Sequence, residues 1–260
     1  MGMSQEKDGG KTPRIYYSFG DYGGSNGKDA NRTYSGGYAA IERPRIRFSR
    51  DEIKHLALAT VVLTIAFSFA LSRPGWITPS FNKEFLLGVL DFMPAAFAGV
   101  VTAFLLHELG HKFTAQRFGL WSEFRYSMSG LVMALFVSVV FGIVFAAPGA
   151  VYIGGSVNKR ENGLISLAGP GVNIVIAFVS LPLLLFVFAN TAFWGQLFYT
   201  VFFINSFLAM FNMLPFGNMD GKKIMSWKPA VFGITLCVSV GFVVAAFNIV
   251  ELYALIMSLL

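Results

Sequence analysis

The chain has 260 residues, of which 55% are hydrophobic and only 13% charged, with a formal net charge of +6. Soluble domains carry about 25% charged residues, so an ordinary soluble domain is excluded. Nearly half of the basic residues fall in the first 50 positions, which reads as a polar tail ahead of a membrane domain rather than a nucleic-acid-binding surface.

Residues 1–40 are rich in Gly, Ser, Tyr and Asn and poor in aliphatic side chains. Such a segment buries too little apolar surface to offset its chain entropy, and a disordered cytoplasmic tail over 1–50 is expected. It holds no apolar stretch that would serve as a signal peptide. Tyr16, Tyr17, Tyr22, Tyr34 and Tyr38 follow no helical or strand period. Arg43, Arg45, Arg47, Arg50 and Lys54 form a basic juxtamembrane stretch suited to anionic lipid headgroups.

A transmembrane domain is expected over 51–260, and its first apolar run is 53–72, long enough to cross the roughly 30 Å hydrocarbon core as a helix. His55, at the start of that run, reads as an interfacial histidine. A second span covers 85–106, with a kink expected at Pro94. A shorter run, 131–147, ends at Pro148-Gly149. Further spans are expected over 164–189 and 194–216. Residues 230–260 hold at least one more, broken at Asn248 and Glu251. The single cysteine, Cys237, lies in that last region and forms no internal disulfide. The fold class is thus an all-α polytopic membrane protein of about five to six transmembrane helices.

With the tail in the cytoplasm, all of the 20 Lys and Arg residues except Arg73 and Lys83 lie inside, provided that 131–147 enters and leaves by one face. This arrangement places a turn at Pro148-Gly149. Irregular backbone at that depth survives only packed against protein or lining a water-filled cavity.

The ionisable residues of the membrane region concentrate in Leu106-His107-Glu108-Leu109-Gly110-His111-Lys112. Side chains four apart share one helix face. Two imidazoles so spaced can grip one tetrahedral Zn²⁺, and Glu108 between them is placed to act as a base toward water at that ion. Ionisable groups at the inner end of a spanning helix are costly and functional by default. A third protein ligand is required. The downstream candidates are Glu123, Glu161, Asp220 and Glu251. Asp220 stands out because it follows a span at its cytoplasmic end, at the depth of the histidines. Glu123 and Glu161, beside Arg125 and Arg160, read as solvated loop residues. The depth of Glu251 is open.

Three segments resemble the site-2 protease family of intramembrane zinc metalloproteases. His107 to His111 is similar to its HExxH helix. Ala168-Gly169-Pro170-Gly171-Val172-Asn173 is similar to its Gly-Pro-x-x-Asn segment, and Asn212 to Gly221 to its Asn-x-x-Pro…Asp-Gly segment. The resemblance covers roughly residues 55–225 and is of the prokaryotic kind, with no room for an inserted PDZ domain. It implies one Zn²⁺ held by His107, His111 and Asp220 near the cytoplasmic face, with Glu108 as the catalytic acid/base. It implies cleavage of transmembrane segments of other membrane proteins in a cell membrane. It also implies a small membrane-embedded sheet after the HExxH helix, in the place of 121–157, which can pair with an unwound substrate, and a substrate-binding role for Asn212. Asn173 reads equally as a substrate-site residue or an interhelical hydrogen bond. Gly169 and Gly171 are expected to permit close helix packing. Asn218 and Lys222 depart from the family pattern, which often has Pro and Gly there.

Two other classes compete. A membrane zinc protease of the prenyl-protein-processing kind needs a downstream Glu ligand, from Glu161 or Glu251. A metal-binding transporter or inactive scaffold needs no carboxylate at 108.

Overall fold

The computed structural model describes residues 46–73, 82–144, 148–188 and 191–259. The expected tail over 1–45 lies outside these. Nine α-helices and two strands follow in order among the described residues: α1 (Arg50–Leu71), α2 (Lys83–Val100), α3 (Leu106–Arg117), β1 (Trp121–Tyr126), α4 (Met128–Phe141), β2 (Gly149–Gly154), α5 (Lys159–Pro182), α6 (Ala192–Asn212), α7 (Asp220–Trp227), α8 (Pro229–Phe247) and α9 (Ile249–Leu259). Five continuous helical stretches are long and apolar enough to cross a membrane: Arg50–Leu71, Lys83–Arg117, Lys159–Phe186, Ala192–Asn212 and Pro229–Phe247.

Local sequence sets the helix ends. Ser49 accepts from the Glu52 amide at the start of α1, and Asn82 accepts from the Phe85 amide at the start of α2. Asn158 and Glu161 form a reciprocal capping box on α5. Glu161 is therefore a helix cap rather than a loop residue. Gly142 ends α4 in the left-handed region at φ 69°, which a side chain would resist.

The second span is longer than the apolar run suggests, because it continues without a break into the histidine motif. Between α2 and α3 the backbone widens into a π-helical turn, Val101–Leu105. Such turns are frequent at functional sites because they shift the faces of the helix on either side.

The run 131–147 behaves as expected in one respect and not in another. β1 and β2 pair antiparallel, with Trp121 opposite Gly154 and Tyr126 opposite Gly149, so the chain returns to the place it left. Pro148-Gly149 is not the turn, however. The Ser127 amide donates to the Pro148 carbonyl at 2.8 Å, which extends the ladder by one pair. Near 230–260, α8 is the one long span and Asn248 separates it from the short α9.

The main core lies where α1, α2, the π-helical turn, α4, α6 and the sheet meet, with Leu56, Phe67, Val100, Phe104, Phe124, Leu131 and Ile204 buried together. On its inner face α1 carries Thr60, Thr64, Ser68 and Ser72, each donating to the carbonyl four residues back. Small polar residues satisfied within their own helix let helices approach closely in an apolar medium.

Candidate metal centre

His107 and His111 lie one turn apart on α3, both buried. Asp220 is the first residue of α7, also buried, and a chain separation of over a hundred residues closes at this point. The His107 and His111 Nε2 atoms are 3.0 Å apart. Asp220 Oδ2 lies 3.1 Å from His111 Nε2 and 3.6 Å from His107 Nε2. Zn–N and Zn–O bonds of 2.0–2.2 Å give a tetrahedron with edges of about 3.4 Å. The three separations bracket that edge.

The outward-facing ring nitrogens strengthen the assignment. His111 Nδ1 faces the Ile165 carbonyl at 2.7 Å, which can only accept. His107 Nδ1 faces Asn173 Oδ1 at 2.6 Å. Asn173 Nδ2 donates to the Ala103 carbonyl and to Asn205 Oδ1, at 2.9 and 3.1 Å, which fixes the amide with its oxygen toward His107. Both Nδ1 atoms therefore carry the proton, and in the neutral imidazoles both Nε2 atoms present lone pairs. Two lone pairs and a carboxylate converge on one point, and a cation there relieves their repulsion.

Burial by itself would raise the Asp220 carboxyl. Interaction with His111 and hydrogen bonds from both imidazoles, where Nε2 carries a proton, together with the nearby Lys223 ammonium outweigh it and hold the group well below the usual carboxylate range; with Nε2 bare, Lys223 acts in the same direction. Asp220 is an anion, the form that ligates a cation. Lys223 Nζ lies 3.3 Å from Asp220 Oδ1, which leaves Oδ2 as the oxygen turned toward the imidazoles.

Two glycines make this convergence possible. A Cβ on Gly169 would fall 2.6 Å from His107 Nε2 and closer still to His111 Nε2, so α5 lies directly over the imidazole pair. A Cβ on Gly221 would strike the Met213 backbone, so α7 folds back onto the end of α6. Gly171 differs from expectation, since a Cβ there meets nothing within 4 Å and no packing demands glycine.

Glu108 and His107 line a cavity of about 420 Å³, together with Phe104, Tyr126, Tyr152, Phe211, Asn212 and Asn218. The Val151 backbone of β2 lies beside Glu108. Asn212 thus sits at the cavity wall. Asn173 does not. It is fully buried behind His107, and its hydrogen bonds orient the ring instead of facing the cavity.

Among the described residues, His107, His111 and Asp220 are the group of His, Cys, Asp and Glu side chains able to share a metal ion. Glu161 caps α5, and Glu251 is exposed on α9. Glu123 is a correction: it is a buried strand residue that accepts from Ser49 Oγ and pairs with Arg125 at 2.9 Å. Sequence reasoning missed Asn205, which donates to Thr102 Oγ1 at 3.0 Å and supports Asn173. An amide in the middle of an apolar span was the available signal.

Sequence relatives carry the name of zinc metalloproteases. A protein of Methanocaldococcus jannaschii named putative zinc metalloprotease MJ0611 is 40% identical over 190 residues, covering 72% of this chain and 90% of its own length. The chain belongs to this zinc metalloprotease family. A putative zinc metalloprotease Rip2 of Mycolicibacterium smegmatis is 29% identical over 62% of the chain and 66% of its own length. A putative zinc metalloprotease YwhC of Bacillus subtilis is 29% identical over 55% of the chain and 72% of its own length. No family model matches the chain, and no solved structure does. As in its prokaryotic relatives' names, zinc is the metal for the three-residue group, and imidazole with carboxylate is a donor set that suits it.

Proposed function

We propose that this metalloprotease is an intramembrane endopeptidase of the site-2 protease kind, hydrolysing peptide bonds within transmembrane segments of other membrane proteins. The observation that carries the reading is the shared cavity. Glu108 and ligand His107 open onto one space walled by apolar side chains and by strand β2, in a chain with five helices of spanning length. The N-terminal tail and the active site face the cytoplasm, a reading supported by the positive-inside count.

Zinc held by His107, His111 and Asp220 would lower the pKa of water and polarise a peptide carbonyl. Glu108 takes the proton of the attacking water on its carboxylate and returns it to the leaving amine. Asn212, at the cavity wall, is placed to hydrogen-bond the substrate backbone. The substrate must be locally unwound, because an intact helix ties up its own carbonyls.

The strand register supports a mode of substrate capture. The Phe124 amide and the Ser122 carbonyl both bond to side chains outside the sheet. Even-numbered residues of β1 therefore turn their backbone groups away from β2. By the same alternation, Gly149, Val151 and Ile153 turn theirs to the far edge of β2. That edge has no strand partner among the described residues, and Val151 is its middle. An extended peptide added there lies beside Glu108.

The test is Glu108→Gln. Zinc content should stay at one per chain while cleavage of a model transmembrane substrate falls by about 10²-fold or more. Unchanged cleavage with zinc bound would remove Glu108 from the chemistry. A variant and parent that both bind zinc and cleave nothing would favour a scaffold.

A further inference from the structure

Lys112 follows His111 directly, and the sequence gives it a routine place among the cytoplasmic cations. It is instead 1% exposed, and it pairs with Glu52 of α1, which is 0% exposed. Lys112 Nζ donates to Glu52 Oε2 at 2.8 Å and to the Ser122 carbonyl at 2.9 Å. Glu52 Oε1 accepts from the Phe124 amide at 3.0 Å. The Phe48 ring covers the ammonium at 4.7 Å from its centroid. A buried ion pair is weak evidence for stability, since desolvation offsets its attraction. The informative feature is where its remaining hydrogen bonds go.

They go to the outer edge of β1. The Ser122 carbonyl and the Phe124 amide are the groups that a third strand would bond. An acceptor and a donor, from two different helices, stand where that strand would lie. We infer that Glu52 and Lys112 form a surrogate strand, closing the outer edge of β1 and docking the sheet against the histidine helix.

Two consequences follow. The sheet has one edge left for an extended peptide, that of β2, and the clamp holds this edge at Glu108. Glu52 and Lys112 are thus positioning residues that never touch substrate. The steering of substrate rests on the strand-addition reading above, whereas the clamp does not.

The experiment uses the full chain, zinc-loaded, in detergent. Glu52→Leu combined with Lys112→Met removes both charges at similar volume and strands neither. Zinc content should remain at one per chain. Hydrogen exchange in 121–126 should quicken roughly threefold to tenfold, the effect of losing one hydrogen bond. KM for a transmembrane substrate should rise with kcat little changed. Glu52→Gln combined with Lys112→Met keeps an acceptor for the Phe124 amide, strands no charge and should restore slow exchange in 121–126. Unaltered exchange in the double variant overturns the clamp. Faster exchange with unaltered KM upholds the clamp and overturns strand addition at β2.

Discussion

At the scale of single residues, the site depends as much on what is absent as on the ligands. Gly169 has no side chain because the imidazole nitrogens occupy that space. Gly169→Ala should lower zinc content sharply while helicity by circular dichroism is kept, because one methyl displaces both rings. Asn173 acts through His107, and outer hydrogen-bond partners of metal ligands are typically worth about 10–100-fold in affinity. Asn173→Ala should therefore weaken zinc binding by about that factor in a competition titration with a chelating dye. Asp220→Ala should abolish stoichiometric zinc, whereas Glu161→Ala and Glu251→Ala should leave it in place. Zinc retained by the Asp220 variant and lost from either glutamate variant would move the third ligand to that glutamate. The convergence of His107, His111 and Asp220 was legible because helical spacing pairs the histidines and because Asp220, like them, follows an apolar run. The ring-orienting role of Asn173 was not, since it depends on which way one amide points between three helices.

At the scale of elements, the spans were legible from hydropathy and the joints between them were not. A π-helical turn such as Val101–Leu105 leaves no mark in composition, because any apolar residue fits it. The strands at 121–126 and 149–154 are short and flank an apolar run, so only resemblance suggested a sheet there. Glu123 was misjudged, and the buried pairing of Lys112 went unread, for one reason: charge alone does not reveal a partner 60 or more positions away. The β2 edge gives a test at this scale. Val151→Pro removes the amide next to Glu108, and proline is tolerated on an edge strand. kcat/KM toward a transmembrane substrate should fall roughly threefold to tenfold, the worth of one hydrogen bond, with zinc content unchanged.

At the scale of the whole molecule, orientation is the prediction. In a Cys237→Ser background, single cysteines at Arg117 and Lys228 should react with an impermeant maleimide from the cytoplasmic side, and one at Asn82 from the other. Reaction of positions 117 and 228 from opposite sides would contradict a common depth for α3 and α7. The number of helices long and apolar enough to cross a membrane was legible in outline, because runs of about 20 apolar residues are hard to mistake.

The third ligand is carried by an eight-residue helix rather than by a span. Among the contacts that seat α7 are Gly221 on the backbone of Met213 and the Trp227 ring on Gly163 of α5. So short a helix has little stability of its own, so His107, His111 and Asp220, holding one ion between them, would rivet the amino-terminal half of the chain to the carboxy-terminal half. Chelation should free α7 first, and deuterium uptake over 220–227 should climb well before the long helices change.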